Sequence, residues 1–268
     1  MSTNNPVKFS KGCYVGSKIK ECTFNNIITS ETIFAAGECS DWHYHSNPHF
    51  SHILSGGSTE LRGLKAERQF EGRGLYYYPG VSHQNVSYLA GTHIFNVELE
   101  DAFFNTYQLQ RPAEALMYDD NIPLNAGGLI KVLKEHQLND RDSGIAVDQL
   151  CITLIETALK TEDNNPGWVS KITTVLNDCW NIPQTLTELA GSVEIHPVTL
   201  SKYFKKYFNC TLGEYRRRIK IERALQLIRK SKYSLTEIAY QCDFTDQAHF
   251  TKTFQSITGL LPGQYKRI

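Results

Sequence analysis

The spacing of apolar residues divides the chain into two regions. Between residues 15 and 98, short apolar and aromatic runs are broken by glycines at intervals of about ten residues, which predicts short antiparallel strands of a sandwich or barrel. Residues 124–137 and 145–160 change to the helical period, and helical patterns also fill the last third of the chain. We therefore predict an α+β protein with an N-terminal antiparallel β-barrel, trailing helices and an all-α C-terminal domain.

The trailing helices leave two interpretations open. Leu150, Leu154 and Ala158 share one stripe of the second helix, and such a stripe serves either to pair subunits or to pack back on the barrel. The polar, turn-rich segment 164–167 that follows is the best candidate for a linker. We accordingly expect one domain over 1–163 and a second over 168–268.

The last third of the chain contains a near-repeat. Leu-Thr-Glu-Leu-Ala at 186–190 recurs as Leu-Thr-Glu-Ile-Ala at 235–239, an offset of 49 residues, whereas Phe204 pairs with Phe254 at an offset of 50. The added residue must lie in a turn, so each copy is predicted to be a helix, a turn and a second helix, at about 185–208 and 234–257.

Capping signals agree with these helix boundaries. Thr185 is followed by Glu188, and Ser234 by Glu237, at the three-residue spacing of a capping box. The second helix of each copy has an apolar stripe for a small core and an opposite face of polar and basic side chains. Such side chains can hydrogen-bond to base edges and phosphates.

Together, these residues resemble a known family. The doubled unit, the joining helix over 215–228 and the ending Phe-Gln-Ser-Ile-Thr-Gly-Leu-Leu-Pro-Gly-Gln-Tyr at 254–265 are similar to the DNA-binding domain of AraC-type transcription regulators. The resemblance covers about residues 168–268. It implies two helix-turn-helix modules that place recognition helices in successive major grooves. Glu194 and Asp243 stand where the family usually has a glycine in the turn, and His196 stands where a serine usually caps the recognition helix.

The resemblance also implies which residues meet DNA. We expect Lys202 and Gln247 to read bases, because an ammonium group can donate to guanine and a carboxamide can bridge adenine. Lys205, Lys206 and Arg216 are expected at phosphates. The full set of predicted DNA-binding residues is Val198, Thr199, Ser201, Lys202, Lys205, Lys206, Gln247, Ala248, Thr251 and Lys252.

Charge supports two regions with different partners. The formal net charge is zero, yet residues 165–268 carry 15 Lys and Arg against 8 Asp and Glu, and residues 1–164 carry 13 against 20. A basic half beside an acidic half suits a chain of which one part meets phosphates. The basic run 216–218 would be weak evidence alone, because charge runs usually mark a solvated helix face.

Composition indicates a soluble globular protein, its cysteines favour the cytoplasm, and the resemblance to AraC-type regulators implies a bacterial one. A hydrophobic fraction of 41% is ample for two packed cores, and no signal peptide or membrane-spanning run is recognisable. Seven scattered cysteines without a CxxC spacing favour reduced, buried thiols over disulfides or a zinc cluster.

Histidines are crowded in the predicted barrel. The spacing of Gly37, His43, His45, His49 and Gly56 resembles the first cupin motif, with His49 in place of the usual glutamate. The segment 79–83, which ends in His83, is similar to the second cupin motif. In metal-binding cupins the corresponding side chains converge inside the barrel, which is the fold that the resemblance implies.

Three interpretations of the histidines remain open. They line an effector pocket, hold a divalent transition metal, or are structural. We favour an effector, sugar-like or another small polar ligand, bound by His43, His45, His49, Arg62, Tyr78 and His83. The candidate metal ligands are His43, His45, His49 and His83.

The sequence thus predicts a ligand-responsive, sequence-specific DNA-binding transcription regulator, an activator rather than a repressor, and not an enzyme. Its expected partners are promoter DNA, a small-molecule effector, a second copy of the chain in a homodimer, and RNA polymerase, with no membrane. The alternative is a metal-dependent cupin enzyme, an oxygenase or isomerase, with a helical appendage. A third possibility is a structural interaction module, which predicts neither a bound metal nor salt-dependent DNA binding.

Overall fold

The computed structural model describes residues 5–118, 126–162, 166–208, 210–230 and 232–268. Strands come first in the chain and helices follow. The strands are β1 (Val7–Phe9), β2 (Ser17–Phe24), β3 (Ile27–Phe34), β4 (His43–His45), β5 (His49–Ser55), β6 (Gly57–Arg62), β7 (Lys65–Phe70), β8 (Gly74–Tyr77), β9 (Gln84–Val86) and β10 (Thr92–Leu99).

The helices occupy the rest of the described chain. They are α1 (Asp101–Tyr107), α2 (Ala126–Leu138), α3 (Ser143–Glu162), α4 (Gly167–Asp178), α5 (Leu186–Ser192), α6 (Pro197–Phe208), α7 (Leu212–Lys230), α8 (Leu235–Gln241), α9 (Gln247–Thr258) and α10 (Pro262–Tyr265), with a 3-10 helix at Glu114–Tyr118. Positions 124–125 of the first trailing helix and 164–165 of the candidate linker lie outside the described residues. Among the described helices, none combines the length and apolar character that crossing a bilayer requires.

The N-terminal region is built around a five-stranded antiparallel sheet in the order β2-β3-β10-β5-β8. Because successive side chains of a strand face opposite sides, β10 directs Ile94 and Asn96 to the interior and Phe95 to the helices. Phe95 contacts His136 of α2 with ring centroids 5.4 Å apart. The sheet therefore has a mixed, partly polar inner face and an outer face that the helices cover, on which Phe95 lies beside the polar Glu31 and His52.

The prediction of an N-terminal β-barrel was wrong, because the described strands form separate sheets and no closed barrel. Besides the five-stranded sheet they form a three-stranded antiparallel sheet, β7-β6-β9, and a parallel pair, β1-β4. Gly57, the first residue of β6, has φ 143°, and a Cβ there would lie 2.2 Å from the carbonyl oxygen of Gln69. β4 and β9 have three residues each, too few to carry a continuous ladder between the larger sheets.

Apolar clusters do not divide the molecule at the linker. One cluster comprises α4, α5, α6 and the first half of α7, with Ile172, Leu200 and Tyr215 among its members. The other runs from the outer sheet face through α2 and α3 to the second half of α7 and α8–α10. The stripe of α3 is buried in this second cluster through Leu154 and Ala158, so it packs back on its own chain. The domain limits 1–163 and 168–268 stay a prediction.

The last helices of the chain pack closely against α2 and against the five-stranded sheet. Gly127 of α2 lies against Ile257 of α9, where a Cβ would come within 2.7 Å of the Ile257 side chain. The Nε2 atom of His52 in β5 lies 3.4 Å from the hydroxyl oxygen of Tyr265 in α10. The second helix pair is thus packed directly on the N-terminal region.

Both predicted capping boxes are present. Thr185 accepts the N–H of Glu188, whose carboxylate accepts the N–H of Thr185, and Ser234 and Glu237 make the same reciprocal bonds. A third box, which the sequence analysis missed, begins α7. There Thr211 and Glu214 exchange the same bonds at 2.7 and 3.2 Å.

The turns that join the helix pairs are left-handed at residues that are not glycine. Glu194 has φ 60° and Asp243 has φ 56°. The cost of the left-handed conformation at Asp243 is offset by hydrogen bonds. Lys220 donates to the carbonyl oxygen of Asp243 at 2.8 Å and to its carboxylate at 2.6 Å. Within the described chain no such side-chain bond is recorded for Glu194.

Substitution of Glu194 by glycine is therefore expected to stabilise the protein. A left-handed conformation costs a residue with a Cβ about 1–2 kcal/mol, and glycine costs about 0.5–1 kcal/mol in unfolded-chain entropy. The free energy of unfolding, measured by urea titration, should rise by about 0.5–1 kcal/mol. Asp243→Gly is the matched control and should gain less, because it loses the contact between Lys220 and the Asp243 carboxylate. Equal effects of the two substitutions would contradict this explanation.

Candidate DNA interface and histidine cluster

The predicted DNA-facing residues lie on α6 and α9. α6 exposes Val198, Ser201, Lys202, Lys205 and Lys206, and half-buries Thr199. Its stripe Leu200 and Phe204 is buried in the first helical cluster. The apolar stripe thus fixes the helix and leaves the polar face free.

α9 repeats this arrangement. Gln247, Ala248 and Lys252 are exposed and Thr251 is half-buried, while Phe250 and Phe254 are fully buried. The capping side chain is Asp246, which accepts the N–H of His249 at 2.7 Å. In α6 the corresponding role falls to His196, whose Nδ1 accepts the N–H of Val198 at 3.2 Å. A histidine therefore replaces the usual serine in function as well as in position.

Two local contacts hold the predicted base-reading side chains. The carboxamide oxygen of Gln247 accepts a hydrogen bond from the hydroxyl of Thr236 in α8. The ammonium group of Lys202 lies 5.3 Å from the ring centroid of Tyr203. Thr236 and Tyr203 were missed by sequence reasoning, although Thr236 lies in the repeated segment.

The histidine cluster lies between the inner face of the five-stranded sheet, β4 and β9. One ligating nitrogen from each of His43, His45 and His83 can be chosen so that all three lie within 4.8 Å of one another. His43 and His83 face each other through a β-bridge, and their rings are 4.4 Å apart. His49 joins the cluster through a ring contact of 4.4 Å with His45, but it is not part of the close triad.

Backbone carbonyls orient two of the imidazoles. Nδ1 of His43 lies 2.8 Å from the carbonyl oxygen of Asp41, and Nδ1 of His83 lies 3.3 Å from that of Val81. A carbonyl accepts, so these Nδ1 atoms carry the hydrogen and leave Nε2 with a free lone pair. Nδ1 of His45 is buried and has no hydrogen-bond partner among the described residues.

Burial keeps these imidazoles neutral. It lowers the pKa of His83 to about 4, against the opposing charge of Glu60, and it lowers the pKa of His43. Burial, followed by the neighbouring histidines, holds the pKa values of His45 and His49 well below the ordinary value. Neutral imidazole is the form that binds a metal ion.

The cavity beside the histidines is small, with a volume of about 40 Å³. Ligand pockets have volumes of roughly 300–1,000 Å³, whereas one water molecule needs roughly 10–15 Å³ of such space. The cavity therefore accommodates an ion with a water molecule and is smaller than a sugar. Three buried imidazoles around such a space fit a divalent transition metal.

Two residues of the predicted effector site are elsewhere. Arg62 forms an ion pair with Glu60, donates to the carbonyl oxygen of Met117 and does not line the histidine cavity. Tyr78 does not line it either, and its neighbour Tyr77 stacks on His49 with ring centroids 4.5 Å apart. The one-residue difference follows from strand alternation, which places consecutive side chains on opposite faces.

Sequence reasoning also missed two polar neighbours of the cluster. Glu60 is 1% exposed and accepts hydrogen bonds from Tyr77, Arg62 and Asn85. Tyr14 lies 5.2 Å from the His45 ring and donates to Glu98 at 3.1 Å. The polar–apolar pattern of β6 did not mark Glu60, since Glu60 and Arg62 are buried whereas Leu61 between them is half-buried.

Comparison with known proteins agrees with the helical geometry. Residues 189–268 match a family model described as a helix-turn-helix domain. The transcriptional activator RhaR of Salmonella arizonae is 26% identical over 144 residues, which are 50% of this chain and 51% of that protein. The chain thus spans about half the length of the curated relatives it matches.

Solved structures also match. A Chromobacterium violaceum transcriptional regulator with an AraC-type DNA-binding domain is 20% identical, with 37% of this chain and 89% of that chain covered and a TM-score of 0.36. ToxT of Vibrio cholerae is 14% identical, with 91% of this chain and 98% of that chain covered and a TM-score of 0.39.

Residues 189–268 are therefore similar to a helix-turn-helix domain. The similarity to this model and to RhaR supports the resemblance of residues 168–268 to the DNA-binding domain of AraC-type transcription regulators.

Proposed function

We propose that the protein is a ligand-responsive, sequence-specific DNA-binding regulator that activates transcription. The observation that carries the proposal is the pair of capped helix units, whose second helices are fixed by buried stripes and expose Lys202 and Gln247. The name of the relative RhaR, a transcriptional activator, supports activation over repression.

The two units are assigned as helix-turn-helix modules, α5–α6 and α8–α9. Residues 168–268 form the DNA-binding domain in this proposal, and residues 1–163 form a cupin-like sensing and dimerisation domain. The shared apolar cluster of α2, α3 and α7–α10 supports communication between them, because a change in the sheets reaches the second module through packed side chains. Promoter DNA and RNA polymerase are the proposed partners.

The histidine cluster is proposed to hold a divalent transition metal ion through His43, His45 and His83. The small cavity and the neutral, oriented imidazoles support an ion over a sugar-sized effector at this position. A bound ion would supply a further link between β4 and the turn before β9, which are already joined by the His43–His83 bridge and by the N–H of Gly80 that donates to the carbonyl oxygen of His45.

Salt dependence tests the DNA-binding proposal. A duplex enriched from random sequence for binding to the full chain should bind with an affinity that falls linearly with salt on logarithmic scales, because bound cations release counterions. With at least four phosphate contacts the slope should be about −4 or steeper. Lys205→Ala together with Lys206→Ala should reduce the slope by about two, since each lost phosphate contact removes about one.

Lys65→Ala, in exposed β7, is the matched control and should leave the slope unchanged. Fluorescence anisotropy at several salt concentrations gives the slopes. Binding that does not respond to salt, or an equal effect of Lys65→Ala, would contradict the proposed interface.

A further inference from the structure

A cleft of about 540 Å³ opens between the helices that trail the sheets and the helices of the DNA-binding region. One wall is formed by α2 and α3, and the other by α7 and α9. Its lining residues are Gly128, Lys131, Leu150, Thr153, Leu154, Glu214, Arg217, Arg218, His249, Lys252, Thr253, Ser256 and Ile257. The volume is within the range of small-molecule pockets.

The cleft is strongly cationic. Lys131 of α2, Arg217 and Arg218 of α7, and Lys252 of α9 line it together, and no salt bridge is recorded for them in the described part of the chain. The single acidic lining residue, Glu214, already caps α7 by accepting the N–H and hydroxyl of Thr211 at 2.7 and 2.9 Å. Four positive charges thus converge on one negative charge.

Two of the four cations, Lys131 and Arg218, are half-buried, whereas Arg217 and Lys252 are exposed. Lys131 is half-buried, and its Cγ would lie 3.4 Å from a Cβ placed on Gly259. Burial, and secondly the charge of Arg218, lowers the pKa of Lys131. Like charges held this close are stabilised by an anion between them.

Part of the cleft is apolar. Leu150 and Leu154 of α3 and Ile257 of α9 line it beside the cations. An inorganic anion would leave this apolar surface in contact with water. A ligand with an apolar part would bury it, which favours binding. Cationic and apolar lining together select an amphipathic anion.

We propose that this cleft binds a small organic anion whose phosphate or carboxylate group contacts Lys131, Arg217 and Arg218 and whose apolar part contacts Leu150, Leu154 and Ile257. Such a ligand touches both the trailing helices and α9, so its binding fixes their relative position. The role of this ligand as an effector rests on the proposed function, whereas its binding does not.

Calorimetric titration of the full chain without DNA tests the site, with phenyl phosphate, inorganic phosphate and benzyl alcohol as probes. Phenyl phosphate should bind once per chain and at least about tenfold more tightly than either other probe, because it alone uses both parts of the cleft. Lys131→Met and Arg217→Gln should each weaken it about tenfold through loss of a charge-assisted hydrogen bond.

Lys134→Met, one turn further along α2 and not in the lining, is the matched control and should bind phenyl phosphate normally. Arg217 is exposed, so its substitution does not endanger folding. Equal affinity for inorganic phosphate, which would point to a contact with the DNA backbone, overturns the proposal. Equal affinity for benzyl alcohol, no binding of phenyl phosphate, or unchanged affinity in both variants overturns it too. If the protein bound phenyl phosphate but no DNA, the proposed function would be rejected and the proposed anion site would be retained.

Discussion

Alanine substitution of Lys202 or Gln247 is expected to weaken binding to the selected DNA and to relax its sequence preference. Each side chain is exposed on a helix that buried aromatic residues fix in place, so its removal leaves the fold intact. A lost bidentate base contact costs about 1–3 kcal/mol, which corresponds to a fall in affinity of about tenfold or more. The two substitutions should add, because they lie on separate helices.

Competition anisotropy against the selected duplex and against duplexes with single base changes measures both effects. A variant that lost a base contact should discriminate less at one base pair and normally at the others. Lys171→Ala, which removes an exposed charge from α4, is the matched control and should keep the full preference. If both recognition-helix variants retained affinity and preference, the assignment of these faces to the major groove would be wrong.

The features that sequence alone predicted are local. The capping boxes at Thr185 and Ser234 require only hydrogen bonds between residues three apart, so their signal is complete in the sequence. The same signal at Thr211 was present and overlooked. The left-handed turns at Glu194 and Asp243 were also implied by position in the repeat.

The features that sequence alone could not supply depend on how distant strands meet. Whether Tyr77 or Tyr78 faces the histidines is decided by strand register, and a shift of one residue reverses the answer. Closure of the barrel depended on the lengths of β4 and β9, which short apolar runs do not define. Gly127 packs against Ile257, which lies 130 positions further along the chain, and no local sequence pattern predicts this contact.

Cavity size changes the balance between the original interpretations of the histidines. An effector was favoured over a metal because AraC-like barrels are expected to sense ligands. The space beside His43, His45 and His83 is about 40 Å³, however, while the cleft at α2, α3, α7 and α9 is about 540 Å³. We therefore propose two separate sites, the histidine cluster for ion binding and the larger cleft for small-molecule binding.

Addition of cobalt(II) or zinc(II) to metal-free protein is expected to give one bound ion per chain at the histidine cluster. An ion that binds only the folded state adds about 2.7 kcal/mol to the free energy of unfolding at a hundredfold excess over its Kd. Binding should persist between pH 7 and pH 6, where an ordinary imidazole with a pKa near 6.5 becomes protonated. The reason is that burial lowers the pKa of His83 to about 4, so protons compete weakly at this pH.

Substitutions within the cluster distinguish the triad from the four histidines that the sequence suggested. His45→Gln and His83→Gln should weaken cobalt binding by more than the roughly 10–100-fold typical of an outer-shell partner, whereas His49→Gln should have a smaller effect. His52→Gln is the matched control, since His52 is equally buried on the same strand as His49 but faces Tyr265. Cobalt absorption spectra and thermal denaturation measure the two consequences. Binding that survives His83→Gln, or that His52→Gln abolishes equally, would show that the ion does not lie between these imidazoles.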